Sequence, residues 1–159
     1  MKSVSSRRPY RIGRSKTGLG LFATRLIRRR KFILHYTGRR LPNSIADYID
    51  NKYMFELSKH WTMDGSSRRN VARYINHSCK PNAESDVVRG KIVISAMKNI
   101  HPGDEITYSY GANYFKSFIK PKGCRCAACS SKTAVIRSPR RVAKRRKATK
   151  RRRRTKSRR

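Results

Sequence analysis

Asn70-Val-Ala-Arg-Tyr-Ile-Asn-His-Ser-Cys-Lys-Pro-Asn82 sets an amide, an imidazole, a hydroxyl and a thiol side by side at Asn76, His77, Ser78 and Cys79. The apolar run Val71, Tyr74, Ile75 leads in and Cys79-Lys-Pro-Asn82 leads out, so the polar cluster falls where a buried segment stops and the chain bends. Polar groups at the margin of a core need partners. Taken alone, the cluster also reads as a hydrogen-bonded loop around one buried cysteine. The surrounding chain decides between the readings.

Lys and Arg total 42 against 8 Asp and Glu, a net charge of +34 in 159 residues. That excess goes far beyond what solubility needs and speaks for a polyanionic partner such as DNA or RNA. Residues 137–159 hold 15 of the cations and no acid, but residues 1–136 still carry 27 basic against 8 acidic groups. The body is basic without its tail. Met1 to Ser15 is polar and basic with no apolar core, so no secretory signal is expected, and no apolar run approaches the length of a membrane span. Of the four cysteines, Cys124, Cys126 and Cys129 lie within six residues and Cys79 stands apart. Two disulfides are conceivable, but in a chain without an export signal metal is the better explanation.

Outward from the centre, the segments read as many short strands and little helix. Tyr10-Arg-Ile-Gly13 starts a strand running towards Thr24, interrupted by Gly18-Leu19-Gly20, where the backbone can approach another group closely or simply make a tight turn. Phe32 to Thr37 is a strand ending at Gly38, and Asn43 or Ser44 caps an expected helix through about Asn51, with Asp47 in its first turn. Tyr53–Leu57 and Trp61–Asp64 are strands about a Ser-Lys-His turn, Lys91–Met97 is the most strand-like segment, and Ile106–Tyr110 follows a Pro102-Gly103 turn. A short helix is expected between Asn113 and Ile119. Beyond about Arg137 the composition cannot bury enough apolar surface to order itself.

In this order the pieces resemble the SET-domain protein lysine methyltransferases over about residues 9–130. The resemblance rests on Gly18-Leu-Gly20, His35-Tyr-Thr-Gly38, Ala72-Arg-Tyr-Ile-Asn-His-Ser-Cys-Lys-Pro-Asn82, Pro102-Gly-Asp-Glu-Ile-Thr-Tyr-Ser-Tyr110 and a cysteine cluster similar to a post-SET segment. It implies a mainly β fold of small curved sheets with a pseudoknot, in which the chain bearing Tyr110 threads beneath the Asn-His-Ser-Cys loop. The implied division is a flexible lead (1–9), a SET domain (10–119), a zinc-binding post-SET segment (120–132) and a disordered basic tail (133–159). Arg69 replaces a common glycine, Ser109 a common aspartate, and the Cys-x-Cys-x2-Cys run is shorter than the usual post-SET spacing.

Roles follow from that resemblance by position. Gly18, Leu19 and Gly20 would let the backbone lie along S-adenosylmethionine, with Asn76 and His77 holding its amino-acid and adenine parts. Tyr110 would orient amine and cofactor, Tyr36 would line the lysine channel, and Tyr108 would occupy the phenylalanine/tyrosine switch, favouring monomethylation. Cys79, Cys124, Cys126 and Cys129 supply a complete tetrahedral thiolate set for one structural zinc ion.

The expected substrate is a lysine in a histone or histone-like DNA-binding protein. DNA, bound through the basic tail, would hold enzyme and substrate together against their mutual repulsion. The tail's Lys144, Lys147 and Lys150 are candidates for self-modification, and in a eukaryotic host the run also reads as a nuclear-localisation signal. An intracellular protein at chromatin or a nucleoid, with no membrane partner, is the implied setting. The rival reading is a non-catalytic, zinc-containing, nucleic-acid-binding architectural protein.

Overall fold

A computed structural model describes residues 8–130. The tail expected at 133–159, residues 131–132 of the cysteine segment and residues 1–7 of the lead lie outside the described residues. Arg8 and Pro9 are anchored: their carbonyls accept hydrogen bonds from Thr24 Oγ1 at 3.5 Å and from Thr24 N at 3.0 Å.

The described chain forms short strands, β1 (Tyr10–Ser15), β2 (Gly18–Ala23), β3 (Phe32–Tyr36), β4 (Arg39–Pro42), β5 (Met54–Ser58), β6 (Trp61–Asp64), β7 (Asn76–His77), β8 (Ala83–Val88), β9 (Lys91–Ala96) and β10 (Glu105–Tyr108). They assemble as three small sheets, ordered β1-β2-β10-β7, β3-β9-β8 and β4-β6-β5. This mainly β set of small sheets is the architecture the resemblance implied. Among the described residues no helix is long and apolar enough to cross a membrane.

Period-two burial explains the strongest strand. In β9, Ile92, Ile94 and Ala96 are fully buried while Lys91 points outward, so one face packs on the core and the other does not. The fully buried Leu21, Ile75, Ile100 and Ile106 bring β2, the central motif and β10 into the same core.

One expectation is corrected, and two strands are found where none was expected. The helix expected from Asn43 to about Asn51 is one turn, Asn43–Ala46, with no side-chain cap. Asn43 uses its amide across the sheet instead, donating to Ser58 O at 3.3 Å and accepting from Thr62 Oγ1 at 2.9 Å, and Asp47 ends the helix rather than starting it. Arg39-Arg-Leu-Pro42 is a strand, because Leu41 is buried and the segment pairs antiparallel with β6. Ala83–Val88 is the edge strand that pairs along the whole of β9. The helix expected near Asn113–Ile119 is present as Ala112–Tyr114 continuing into a wider π-helical Phe115–Ile119.

The placement of β10 builds the site. It lies between β2, with which it is antiparallel, and the two-residue β7, with which it is parallel through Thr107↔Asn76 and Tyr108↔His77. The exit of the central motif reinforces this ladder. Asn82 donates from Nδ2 to Glu105 O at 2.8 Å and accepts from Thr107 N at Oδ1, also at 2.8 Å, while its own N–H reaches Thr107 O at 3.2 Å. Its amide thus acts as an extra rung for β10. Asn82→Ala removes both side-chain bonds, each worth about 0.5–1.5 kcal/mol net, so a loss of about 1–3 kcal/mol in chemical denaturation is expected, with Asn82→Asp losing the Nδ2 donor while keeping the residue's size.

Candidate active site

The β7/β10 ladder carries Tyr110 onto His77. The Tyr110 backbone N–H donates to His77 Nδ1 at 3.3 Å, and the Tyr110 hydroxyl donates to Ile75 O at 2.8 Å. The imidazole ring lies 5.5 Å from the Tyr110 ring and 5.4 Å from the Phe115 ring. An Nδ1 that accepts leaves the ring proton on Nε2, and Nε2 sits 3.5 Å from Cys79 Sγ. Burial lowers the His77 pKa, which favours this neutral form. With both nitrogens committed, His77 is a strut rather than a free base.

Cavities open on either side of this crossing. Two adjoining clefts of about 420 and 410 Å³ share Thr17, Asn76, His77, Arg125 and Cys126. Across Tyr110 lies a pocket of about 370 Å³ lined by Tyr36, Tyr53, Phe55, Tyr108, Tyr110 and Tyr114, together with Lys52 and Arg73. The predicted tyrosines Tyr36, Tyr108 and Tyr110 therefore meet in one aromatic pocket, while Asn76 and His77 face the clefts. Tyr110 lines the pocket and the 410 Å³ cleft alike.

The pocket holds the phenols of Tyr36, Tyr108 and Tyr110 neutral. Burial raises the Tyr36, Tyr108 and Tyr110 pKa values, and neighbouring phenols, with Asp64 beside Tyr36, add to the shift. The Tyr36 hydroxyl donates to Tyr53 O at 2.7 Å. Arg73 stacks its guanidinium 4.1 Å from the centroid of Tyr53. Burial alone would raise the Tyr53 phenol, but Arg73 and Lys52 outweigh it and hold that group below its ordinary value. No carboxylate is among the lining residues.

Gly18, Leu19 and Gly20 reach the site through Asn76. Its Nδ2 donates to Glu105 Oε1 at 2.7 Å and Leu19 O at 3.0 Å, with Ser15 Oγ at 3.4 Å. A Cβ on Gly20 would stand 2.5 Å from Glu105 Oε1, so glycine is what lets that carboxylate bridge β2 to Asn76. Gly18 holds a φ of 121° at the start of β2.

The cysteine cluster closes beside His77. The thiols of Cys79, Cys124, Cys126 and Cys129 all lie within 4.8 Å of one another. Cys79 Sγ is 3.8 Å from Cys124 Sγ and 3.6 Å from Cys129 Sγ. A tetrahedron with metal–sulfur bonds of about 2.3 Å has edges of about 3.8 Å, so the four thiols fit a metal ion. Burial opposes ionisation of Cys126, but the N–H groups of Cys79 and Cys129 and neighbouring thiols outweigh it and lower that thiol to about 6. Burial and its neighbours push Cys79 up to about 12.

Several supporting residues escaped the sequence reading. Asn70, 1% exposed, donates to Gly65 O at 3.0 Å and accepts from Thr37 N at 3.2 Å, tying the loop before the motif to the end of β3. Arg73 lines the pocket, and Gly65 lies against Tyr36, one of its walls. Asn70 opens the central motif and follows the Arg69 departure, but no role was assigned to it, and nothing local marked Gly65.

This topology sets two adjoining clefts and an aromatic pocket around one tyrosine, Tyr110. The SET domain family matches residues 18–111, and the chain belongs to that family. It is 35% identical over 105 residues to the histone-lysine N-methyltransferase trithorax of Drosophila virilis, covering 58% of this chain and 3% of that protein. With the histone-lysine N-methyltransferase mes-4 of Caenorhabditis elegans it shares 36% identity over 135 residues, 70% of this chain and 15% of that protein. With Set2 of Drosophila melanogaster, also a histone-lysine N-methyltransferase, it shares 32% over 136 residues, 77% of this chain and 6% of the relative. The chain thus spans a small fraction of each relative's length.

Gly65 offers a direct check on the pocket. A Cβ there would stand 2.2 Å from Tyr36 Cε1, and Tyr36 is anchored by its bond to Tyr53 O. Gly65→Ala is expected to destabilise the domain by about 1–3 kcal/mol through overpacking, measured by denaturant unfolding, with a perturbed tyrosine signal in near-ultraviolet circular dichroism.

Proposed function

We propose that this chain is an S-adenosylmethionine-dependent protein-lysine N-methyltransferase acting on histones or histone-like DNA-binding proteins, with monomethylation as its favoured outcome. The observation that carries this reading is Tyr110, which lines both the cleft beside Asn76 and His77 and the aromatic pocket. A methyl donor in the first and a lysine in the second would meet beside its hydroxyl. The relatives named histone-lysine N-methyltransferases supply the substrate class.

The residues present fit the cofactor. The clefts combine hydroxyls and amides from Ser15, Thr17, Ser78 and Asn82 with apolar Phe118 and Ile119, a mixture suited to a ligand with an amino-acid end and a base. Gly18, Leu19, Gly20, Asn76 and His77 would hold it, and when bound it supplies an electrophilic methyl group on a sulfonium. The protein's own work is alignment and exclusion of water.

The lysine must arrive uncharged. Five tyrosines and Phe55 desolvate an ammonium, the cations Lys52 and Arg73 repel it, and no carboxylate among the lining residues rewards it. All three effects favour the neutral amine. The hydroxyls of Tyr36 and Tyr110 spend their protons on backbone carbonyls, so their lone pairs face incoming N–H groups. Each methyl already on the amine removes one such N–H, and buried Tyr108 fills room a methylated amine needs. Both effects support monomethylation.

Cys79, Cys124, Cys126 and Cys129 would hold one structural zinc ion, pinning the segment after Tyr110 against the central motif. Through the His77–Cys79 contact the metal would also steady the ring that accepts from Tyr110 N–H. The tail would tether the enzyme to DNA and so to chromatin or a nucleoid.

Intact mass after incubation with S-adenosylmethionine, DNA and a histone tests the enzyme. A methyl increment is expected on the histone, with Tyr110→Phe slowed about 10²-fold by lost alignment. An increment on the chain itself would assign self-methylation. No increment, despite tight DNA binding, would favour the architectural alternative.

Purified protein is expected to carry one zinc per chain by atomic emission. Chelation should abolish methyl transfer at concentrations that leave most far-ultraviolet circular dichroism intact. Turnover unchanged after zinc is stripped would refute the metal's supporting role.

A further inference from the structure

Within the described residues, the body has a cationic surface of its own. Arg28, Arg29, Arg30 and Lys31 form one turn, closed by Lys31 N donating to Arg28 O at 3.1 Å. That turn is stitched to the loop after β9. Arg30 N donates to Ala96 O at 2.7 Å, Ala96 N to Lys31 O at 3.0 Å, and Arg29 N to Asn99 Oδ1 at 3.0 Å. The bridge between Ile27 and Ile100 anchors both loops on buried side chains. Lys98 sits on the second loop, and all five cations are exposed.

Density and bracing set this surface apart from scattered charge: four consecutive cations share one turn, held by backbone bonds to the loop that carries Lys98. Arg30 holds φ at 64° in the third position of its turn, where glycine or asparagine is the economical choice. Arg89 shares that conformation at φ 50°, so it is the clustering of charge around Arg30, and not the backbone alone, that points to a use. The cluster also keeps its full charge. Among the described residues the one ion pair is His101–Asp104, at 3.7 Å, so none of the five cations is paired with a carboxylate.

We infer that Arg28, Arg29, Arg30, Lys31 and Lys98 form a docking surface for the phosphate backbone of duplex DNA, separate from the tail. A backbone-braced array suits a duplex, whose phosphates are fixed and densely spaced, because neither side must be ordered on contact. The adjacent exposed Phe32, tilted against His35 at 4.8 Å between ring centroids, is a single aromatic and not the series of platforms on which successive single-stranded bases stack. Lys98 lies on the rim of the 420 Å³ cleft, whereas none of the five lines the aromatic pocket. DNA would approach from the cleft side and leave the pocket open. The inference concerns binding and does not rest on methyl transfer.

Fluorescence anisotropy of the full chain on a duplex of random sequence, over a series of salt concentrations, tests it. Each lost phosphate contact reduces the logarithmic salt slope by about 0.9. The variant Arg28→Ser, Arg29→Ser, Arg30→Gly, Lys31→Ser should therefore lose about 3 to 4 from the slope and bind at least about tenfold more weakly near physiological salt. A control, Lys59→Ser, Arg68→Ser, Arg69→Ser, Lys91→Ser, removes equal charge elsewhere and should lose less than about 1. Equal losses in both variants, or an unchanged slope in the first, would overturn the assignment. Arg30→Gly alone should weaken DNA binding while raising the thermal midpoint, and unchanged DNA binding in it would also count against the surface. An equal effect of the first variant on single-stranded RNA would overturn the duplex assignment.

Discussion

Two residues of parallel pairing hold this domain's chemistry together. Thr107 opposite Asn76 and Tyr108 opposite His77 are the whole of the β7/β10 ladder, yet every candidate site residue is placed relative to it. Asn76 reaches from it to Leu19 and Glu105, His77 to Cys79 and Tyr110, and Tyr110 back to Ile75. So short a ladder holds few backbone bonds. Side chains therefore extend it, and Asn82 is the clearest case, standing in for strand that is not there.

Charge is distributed by function rather than spread evenly. The aromatic pocket admits Lys52 and Arg73 but no acid, so it tolerates an amine better than an ammonium. The exposed cations around Arg30 and Lys98 sit apart from that pocket. A basic protein proposed to act on basic partners thus has two separate electrostatic problems, attraction to the polyanion and discharge of the lysine, and on the proposed reading different residues would address each.

The motif was legible because its chemistry is local and dense: Asn76 to Cys79, Tyr108 and Tyr110, and the three late cysteines stand out by composition and order. Their meeting was not derivable from periodicity, and only the family resemblance implied it. β4 and β8 were missed because Arg39-Arg-Leu-Pro42 and Ala83-Glu-Ser-Asp-Val-Val88 carry weak intrinsic strand signals and are strands by virtue of their partners. The helix after Pro42 was overextended for a related reason: Asn43 looks like a cap, but Thr62 and Ser58 claim its amide. Gly65 and Asn70 have meaning only through contacts with Tyr36 and Thr37, which no sequence window contains.

The position of β10 also bears on how the chain is made. Its neighbours β2 and β7 are complete long before residues 105–108, and the cysteines at 124–129 come later still. During synthesis the first hundred residues can form the β3-β9-β8 and β4-β6-β5 sheets while a strand-wide slot stays open between β2 and β7. Filling that slot joins segments about 30 and 80 residues apart, the slow, non-local kind of closure. The clefts at Asn76 and His77 are therefore among the last features of the chain to be walled, since residues between 118 and 128 line them too.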